Sequence, residues 1–206
     1  MDSDPLVDLE QIPDLEAVRV AVVDVETSGL SPDDHHLLQV AVVVVDGRGR
    51  ELMRWASDIR PPRGLFGSLG PRHIHGLTRR RLWRAPRADR VLVQLGDLLA
   101  DAIIAGHNVA FDLSFLRQAG LRHGVVLPER PALCTLDLSR RLDPARRRRH
   151  RLGDLCQHYG IDLDRPHDAL ADAQATAALL SALLRDLAVQ GPADLAALIR
   201  AQRDAV

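Results

Sequence analysis

A four-residue turn, Asp46-Gly47-Arg48-Gly49, separates the apolar run at residues 37–45 from a second extended stretch at 51–59. Two glycines in four positions allow a sharp reversal, and strands joined so closely must be antiparallel neighbours. Residues 18–25 form another valine-rich run that reads as a buried strand. Pro61 and Pro62 close this region, and the rhythm then changes. Helical spacing appears at 91–102, a short apolar strand at 103–105 and helical spacing again at 113–119. A fifth strand is expected at 132–136, a helix at 151–159 ended by Gly160, and a long helix from 168 to 187. Residues 193–201 add a final turn or two. Three antiparallel strands followed by strand–helix alternation predict an α/β fold: a mixed five-stranded sheet with helices on both faces.

The length of 206 residues suits one domain with a real core. The expected organisation is an acidic N-terminal tail at 1–16, a catalytic domain at 17–190 and a short C-terminal helical tail at 191–206. The tail carries six acids and no basic residue, which fits neither a secretory signal nor a transit peptide. No apolar run approaches the roughly 20 residues that cross a bilayer, so no membrane association and a cytoplasmic location are expected.

The net charge of −1 hides an asymmetry, because the acids of the tail leave about +5 on the remainder. All 27 basic residues are arginine. The runs at 79–81 and 146–149 are either phosphate-binding patches or solvated faces. Cys134 and Cys156 make neither a disulfide framework nor a zinc site, and they read as plain buried residues.

The chemistry is carried by acids. Asp24 and Glu26 stand two residues apart at the end of the first strand, and so on one face. Such a pair repels unless a cation lies between its members. Asp112 shares a helical stripe with Phe115, Leu116 and Ala119, and Asp172 shares one with Thr176, Leu179 and Leu183. Inward-facing carboxylates need a cation or hydrogen-bond donors. A set of oxygen ligands suits a hard divalent ion, Mg²⁺ or Mn²⁺, rather than zinc. Two such ions would activate water and clamp a phosphodiester, with a histidine as base. Each acid alone also permits a bland structural reading; the four together strain it.

In order along the chain, the segments Val22-Val23-Asp24-Val25-Glu26-Thr27-Ser28-Gly29-Leu30, His73-Ile74-His75-Gly76-Leu77-Thr78, Gly106-His107-Asn108-Val109-Ala110-Phe111-Asp112 and His167-Asp168-Ala169-Leu170-Ala171-Asp172 resemble the motifs of the DEDD-type 3′–5′ exonucleases, in the histidine-containing, DnaQ-like branch. The resemblance spans about residues 18 to 187. It implies a ribonuclease H-like fold, with Asp24, Glu26, Asp112 and Asp172 holding two divalent cations and Asp24 bridging them. It makes His167 the general base. Thr27 would hold the terminal nucleotide, and His75, His107, Asn108 and Phe111 would line its approach. Products would be nucleoside 5′-monophosphates. Gln39 stands where many relatives carry glutamate, and His35 and His36 read as loop residues.

The resemblance favours single-stranded DNA with a free 3′ end as substrate and a DNA polymerase or repair partner. An exoribonuclease of the same fold is the alternative, and a catalytically silent binding module a more distant one. Only 3% of residues are aromatic, so stacking of single strands would fall chiefly to Phe66, Trp83 and Phe111.

Overall fold

The computed structural model describes residues 17–62, 69–129 and 132–190. The tails expected at 1–16 and 191–206, the turn at 193–201 and Phe66 lie outside the described residues.

The hairpin forms as its turn requires. Strand β1 (Arg19–Thr27) pairs antiparallel with β2 (Leu37–Asp46), which pairs antiparallel with β3 (Glu51–Asp58). Strand β4 (Ile103–Gly106) runs parallel to β1, and β5 (Ala132–Cys134) runs parallel to β4. The sheet order is therefore β3-β2-β1-β4-β5. All ten residues of β2 are buried, as expected of a strand covered on both faces.

Helices α1 (Arg72–His75) and α2 (Arg79–Trp83) follow β3, then α3 (Ala88–Leu99), α4 (Val109–His123), α5 (Thr135–Arg141), α6 (Leu152–Tyr159) and α7 (Ala169–Gln190). Strand alternation divides the core into two layers. Val20, Val22, Ala41 and Val43 pack against α7, while Ala21, Val23, Val25, Val40 and Val42 pack against α3 and α4. The expected helices on both faces are present.

Several boundaries move for identifiable reasons. The fifth strand, expected at 132–136, stops at Cys134, because Thr135 begins α5 and donates its hydroxyl to the Gly106 carbonyl at 3.3 Å. That early end leaves Cys134 half-buried, while Cys156 is buried as expected. The helix expected at 91–102 starts earlier and ends at Leu99, and the one expected at 113–119 grows at both ends. Helices α1 and α2 are too short to leave a periodic signal. Thr78 starts α2 by accepting the Arg81 N–H at 3.2 Å.

Candidate active site

The first strand delivers its two acids as alternation demands. Asp24 and Glu26 continue the row of Val20 and Val22, on the face covered by α7. Asp112 reaches them differently. Strand β4 ends at Gly106, so the last parallel pairing of β1 is Val22 with Ala105. The Val25 N–H beyond that point is taken by the Asp112 carboxylate at 3.1 Å. A backbone donor that would otherwise be orphaned thus fixes the acid at the start of α4.

Asp172 arrives on the first turn of α7. Its carboxylate accepts the His167 N–H at 2.9 Å, and Asp168 caps the same helix by accepting the Ala171 N–H at 3.2 Å. His167 is exposed and has a φ of 66°, which is costly for a residue with a Cβ. The Asp172 contact holds that conformation. Ligand atoms of Glu26, His167 and Asp172 all lie within 4.8 Å of one another.

Electrostatics join Asp24 and Asp112 to this group. Burial, then Asp112, Asp172 and Glu26, hold the Asp24 carboxyl well above the usual range. Glu26 is pushed up to about 8 by burial, then by Asp172 and Asp112. Burial also raises Asp112 to about 8. Asp172 is raised by burial, with the His167 N–H opposing. Asp168, which motif spacing alone does not single out, adds further negative potential at Asp24 and Glu26. An acid in a helix-capping position is its one available signal. Carboxylates that the protein itself leaves this uncompensated fit a hard divalent cation.

Of the other sequence candidates, Thr27 follows Glu26 directly in sequence, and His107, Asn108 and Phe111 precede Asp112. Thr27 is half-buried and donates its hydroxyl to the Gly29 carbonyl at 2.6 Å, bracing the turn after β1. His75 is buried; its Nε2–H donates to the Leu69 carbonyl and its Nδ1 accepts the Leu77 N–H, each at 3.0 Å. It organises the loop beside the turn, where Gly70 at φ 72° packs so closely that a Cβ would stand 2.4 Å from the Ser28 carbonyl oxygen. The His107 Nδ1 pairs with the Thr135 hydroxyl at 2.9 Å, which ties it to the start of α5. Asn108 is exposed in the left-handed region at the start of α4. Phe111 is half-buried against Phe115, their ring centroids 4.9 Å apart. His35 and His36 lie in the β1–β2 loop as read.

Gln39 acquires a definite role. It faces Glu26 across the β1–β2 pair, donates to the Asp58 carboxylate at 3.0 Å and accepts the Ala169 N–H at 3.0 Å. The same amide therefore holds the first residue of α7, the helix that carries Asp172. Arg81 grips Asp58 from α2 through two nitrogens, at 2.5 and 2.7 Å. Gln39→Leu would leave a buried N–H and a carboxylate oxygen without this partner. It is expected to cost about 1–3 kcal/mol in denaturant unfolding and to lower turnover with it. Unchanged stability and turnover would refute the role.

The raised acids also set a pH dependence. Between the ordinary carboxylate range and about pH 8, Glu26 and Asp112 bind more protons folded than unfolded. Stability without metal is then fullest below the ordinary values and is lost as pH rises through about 8. Thermal melts in chelator should show the midpoint falling by a few degrees from about pH 5.5 to about pH 8.5. Magnesium ions should largely abolish the fall, since they bind the deprotonated site. A midpoint flat with pH in chelator would contradict this.

Comparison with known proteins agrees with this geometry. The RNase_T exonuclease family matches residues 21–180. The chain belongs to it, as a domain of the DnaQ-like 3′–5′ exonuclease family in the histidine-containing DEDD branch, with the ribonuclease H-like fold. Enzymes of this family depend on divalent metal. A DNA polymerase III of PolC type from Latilactobacillus sakei is 33% identical over 174 residues, covering 84% of this chain. The match occupies only 12% of that polymerase's length. E. coli exonuclease I in complex with a dT13 oligonucleotide superposes with a TM-score of 0.70 at 20% identity, over 84% of this chain and 42% of its own. The nuclease domain of 3′hExo, a DEDDh family member bound to rAMP, gives a TM-score of 0.70 at 18% identity, over 82% of this chain and 92% of its own. Among the described residues no helix is long and apolar enough to cross a membrane.

Proposed function

We propose that this chain hydrolyses the terminal phosphodiester bond at 3′ ends of single-stranded DNA and releases nucleoside 5′-monophosphates. The observation that carries this reading is the convergence of Asp24, Glu26, Asp112 and Asp172 beside His167 at one end of the sheet. The four carboxylates would hold two divalent cations, Mg²⁺ or Mn²⁺, which when bound supply Lewis-acid charge to the phosphodiester oxygens. The His167 imidazole accepts the proton of the attacking water. Asp172 holds His167 through its backbone N–H, so the base keeps its place without tying up its ring. Thr27 and its turn support the terminal nucleotide, and Phe111 offers it an apolar wall. Asn108 borders that approach, while His75 and His107 shape it from behind through their backbone and hydroxyl contacts.

The resemblance to a PolC-type polymerase supports DNA as substrate and a polymerase or repair complex as partner. The oligonucleotide bound to exonuclease I supports a single strand. The rAMP bound to the 3′hExo nuclease domain favours a second reading, a 3′–5′ exoribonuclease.

The test is a time course on matched 3′-labelled and 5′-labelled single strands, one DNA set and one RNA set. Each set is run with Mg²⁺, with Mn²⁺ and with chelator. A metal-dependent ladder shrinking from the 3′ end supports the proposal, and the faster set names the substrate. Failure to cleave any strand would reject it in favour of a binding module.

A further inference from the structure

Helix α2 is linked towards the acid cluster through Arg81, Asp58 and Gln39, the cross-strand neighbour of Glu26, and its arginines differ in their surroundings. Arg81, its side chain 48% exposed, is neutralised by Asp58, and this pair forms part of the wall of the cleft that Arg80 and Arg84 also line. Arg80 and Arg84 are exposed, lie one helical turn apart, and line a cleft of about 730 Å³ with Thr78, Gln39 and Ala56. Gln39 stands opposite Glu26 in the β1–β2 register, which sets the cleft one strand from that carboxylate. Asp168 makes the same connection, since its charge is felt by Glu26 on one side and by Arg81 on the other. Trp83, three residues after Arg80 on α2, is 56% exposed and lies beside the cleft, outside its lining. The other arginine run differs: Arg148 is bound to Asp143 through its backbone N–H and pairs with it at 3.7 Å, which closes the loop before α6.

We propose that the α2 cleft is the path of the single strand behind its 3′ end, with Arg80 and Arg84 on backbone phosphates and Trp83 stacked on an unpaired base. The assignment rests on the exonuclease reading. Paired cations track phosphates whatever the sequence, and an indole accepts the face of any base that is not already in a duplex. The cleft therefore selects for unpaired nucleic acid without reading its sequence. It acts on affinity for long substrates, and the terminal nucleotide does not reach it.

The experiment compares dodecathymidylate with the p-nitrophenyl ester of thymidine 5′-monophosphate, which stops short of α2. The ester normalises for folding and for the catalytic groups. For Arg80→Ala/Arg84→Ala, KM on the dodecamer relative to the ester is expected to rise about tenfold or more. The slope of log KM against log salt should flatten by about 1.4, at about 0.7 for each phosphate contact in a single strand. Trp83→Ala should raise the dodecamer KM about tenfold with little change in salt slope. Arg185→Ala, which removes one positive charge on α7 away from the cleft, serves as control for general loss of charge. An active wild type whose α2 variants keep their dodecamer KM and salt slope would overturn the proposal alone. A wild type inert on both substrates would overturn the exonuclease reading and this proposal with it.

Discussion

Asp24→Ala is expected to lower kcat about a thousandfold or more while leaving the domain folded. Burial, then Asp112, Asp172, Glu26 and Asp168, all hold the Asp24 carboxyl above its usual range. Removing it takes away the carboxylate proposed to bridge both cations. Charge stabilisation in a metal site is worth several kcal/mol, and about 4 kcal/mol corresponds to about a thousandfold. Stability should move the opposite way. Without metal the four acids repel one another, so the isosteric Asp24→Asn should melt a few degrees higher than wild type in chelator. The rise in melting temperature produced by Mg²⁺ should shrink at the same time. Single-turnover kinetics and thermal melts with and without Mg²⁺ measure both arms. Near-normal turnover would remove Asp24 from the mechanism.

His167→Ala should cost about 10²–10⁴ in kcat, the range of a positioned general base. Two features of the residue need separating, because its backbone is left-handed as well as its side chain being functional. His167→Asn tolerates that backbone and still lacks the imidazole, so both variants should lose comparable activity. The ring also lies near Glu26 and Asp172, close enough to share a cation. A base role predicts that both variants keep most of their Mn²⁺ affinity in calorimetric titration. Retained turnover in either variant would exclude the base, and loss of Mn²⁺ affinity matching the loss of rate would make His167 a ligand instead.

Asp24 and Glu26 were legible as a same-face pair because strand alternation has a period of two and the preceding valines are apolar without interruption. Asp112 and Asp172 were legible as inward acids because each shares a stripe with residues that prove buried, Phe115 and Leu116 for one, Thr176 and Leu179 for the other. Gln39 showed only as a departure from the family pattern. Its partners, Asp58 and Ala169, are 19 and 130 residues away, and no local pattern announces a contact of that separation. His75 and His107 read as approach residues, but their ring nitrogens are largely spent on Leu69, Leu77 and Thr135. A histidine's partners are set by packing that spacing alone does not encode.

The sequence by itself determined the antiparallel hairpin, the strand–helix alternation after it, and the family to which four ordered motifs belong. Each of these depends on local period, turn chemistry or residue identity. Only the tertiary structure decided that β4 ends early enough for Asp112 to take the Val25 N–H, that Gln39 holds the start of α7, and that Arg81 is neutralised while Arg80 and Arg84 line an open cleft. Those outcomes depend on which backbone and side-chain groups meet across the sheet, where burial and unsatisfied donors, rather than periodicity, select the partner.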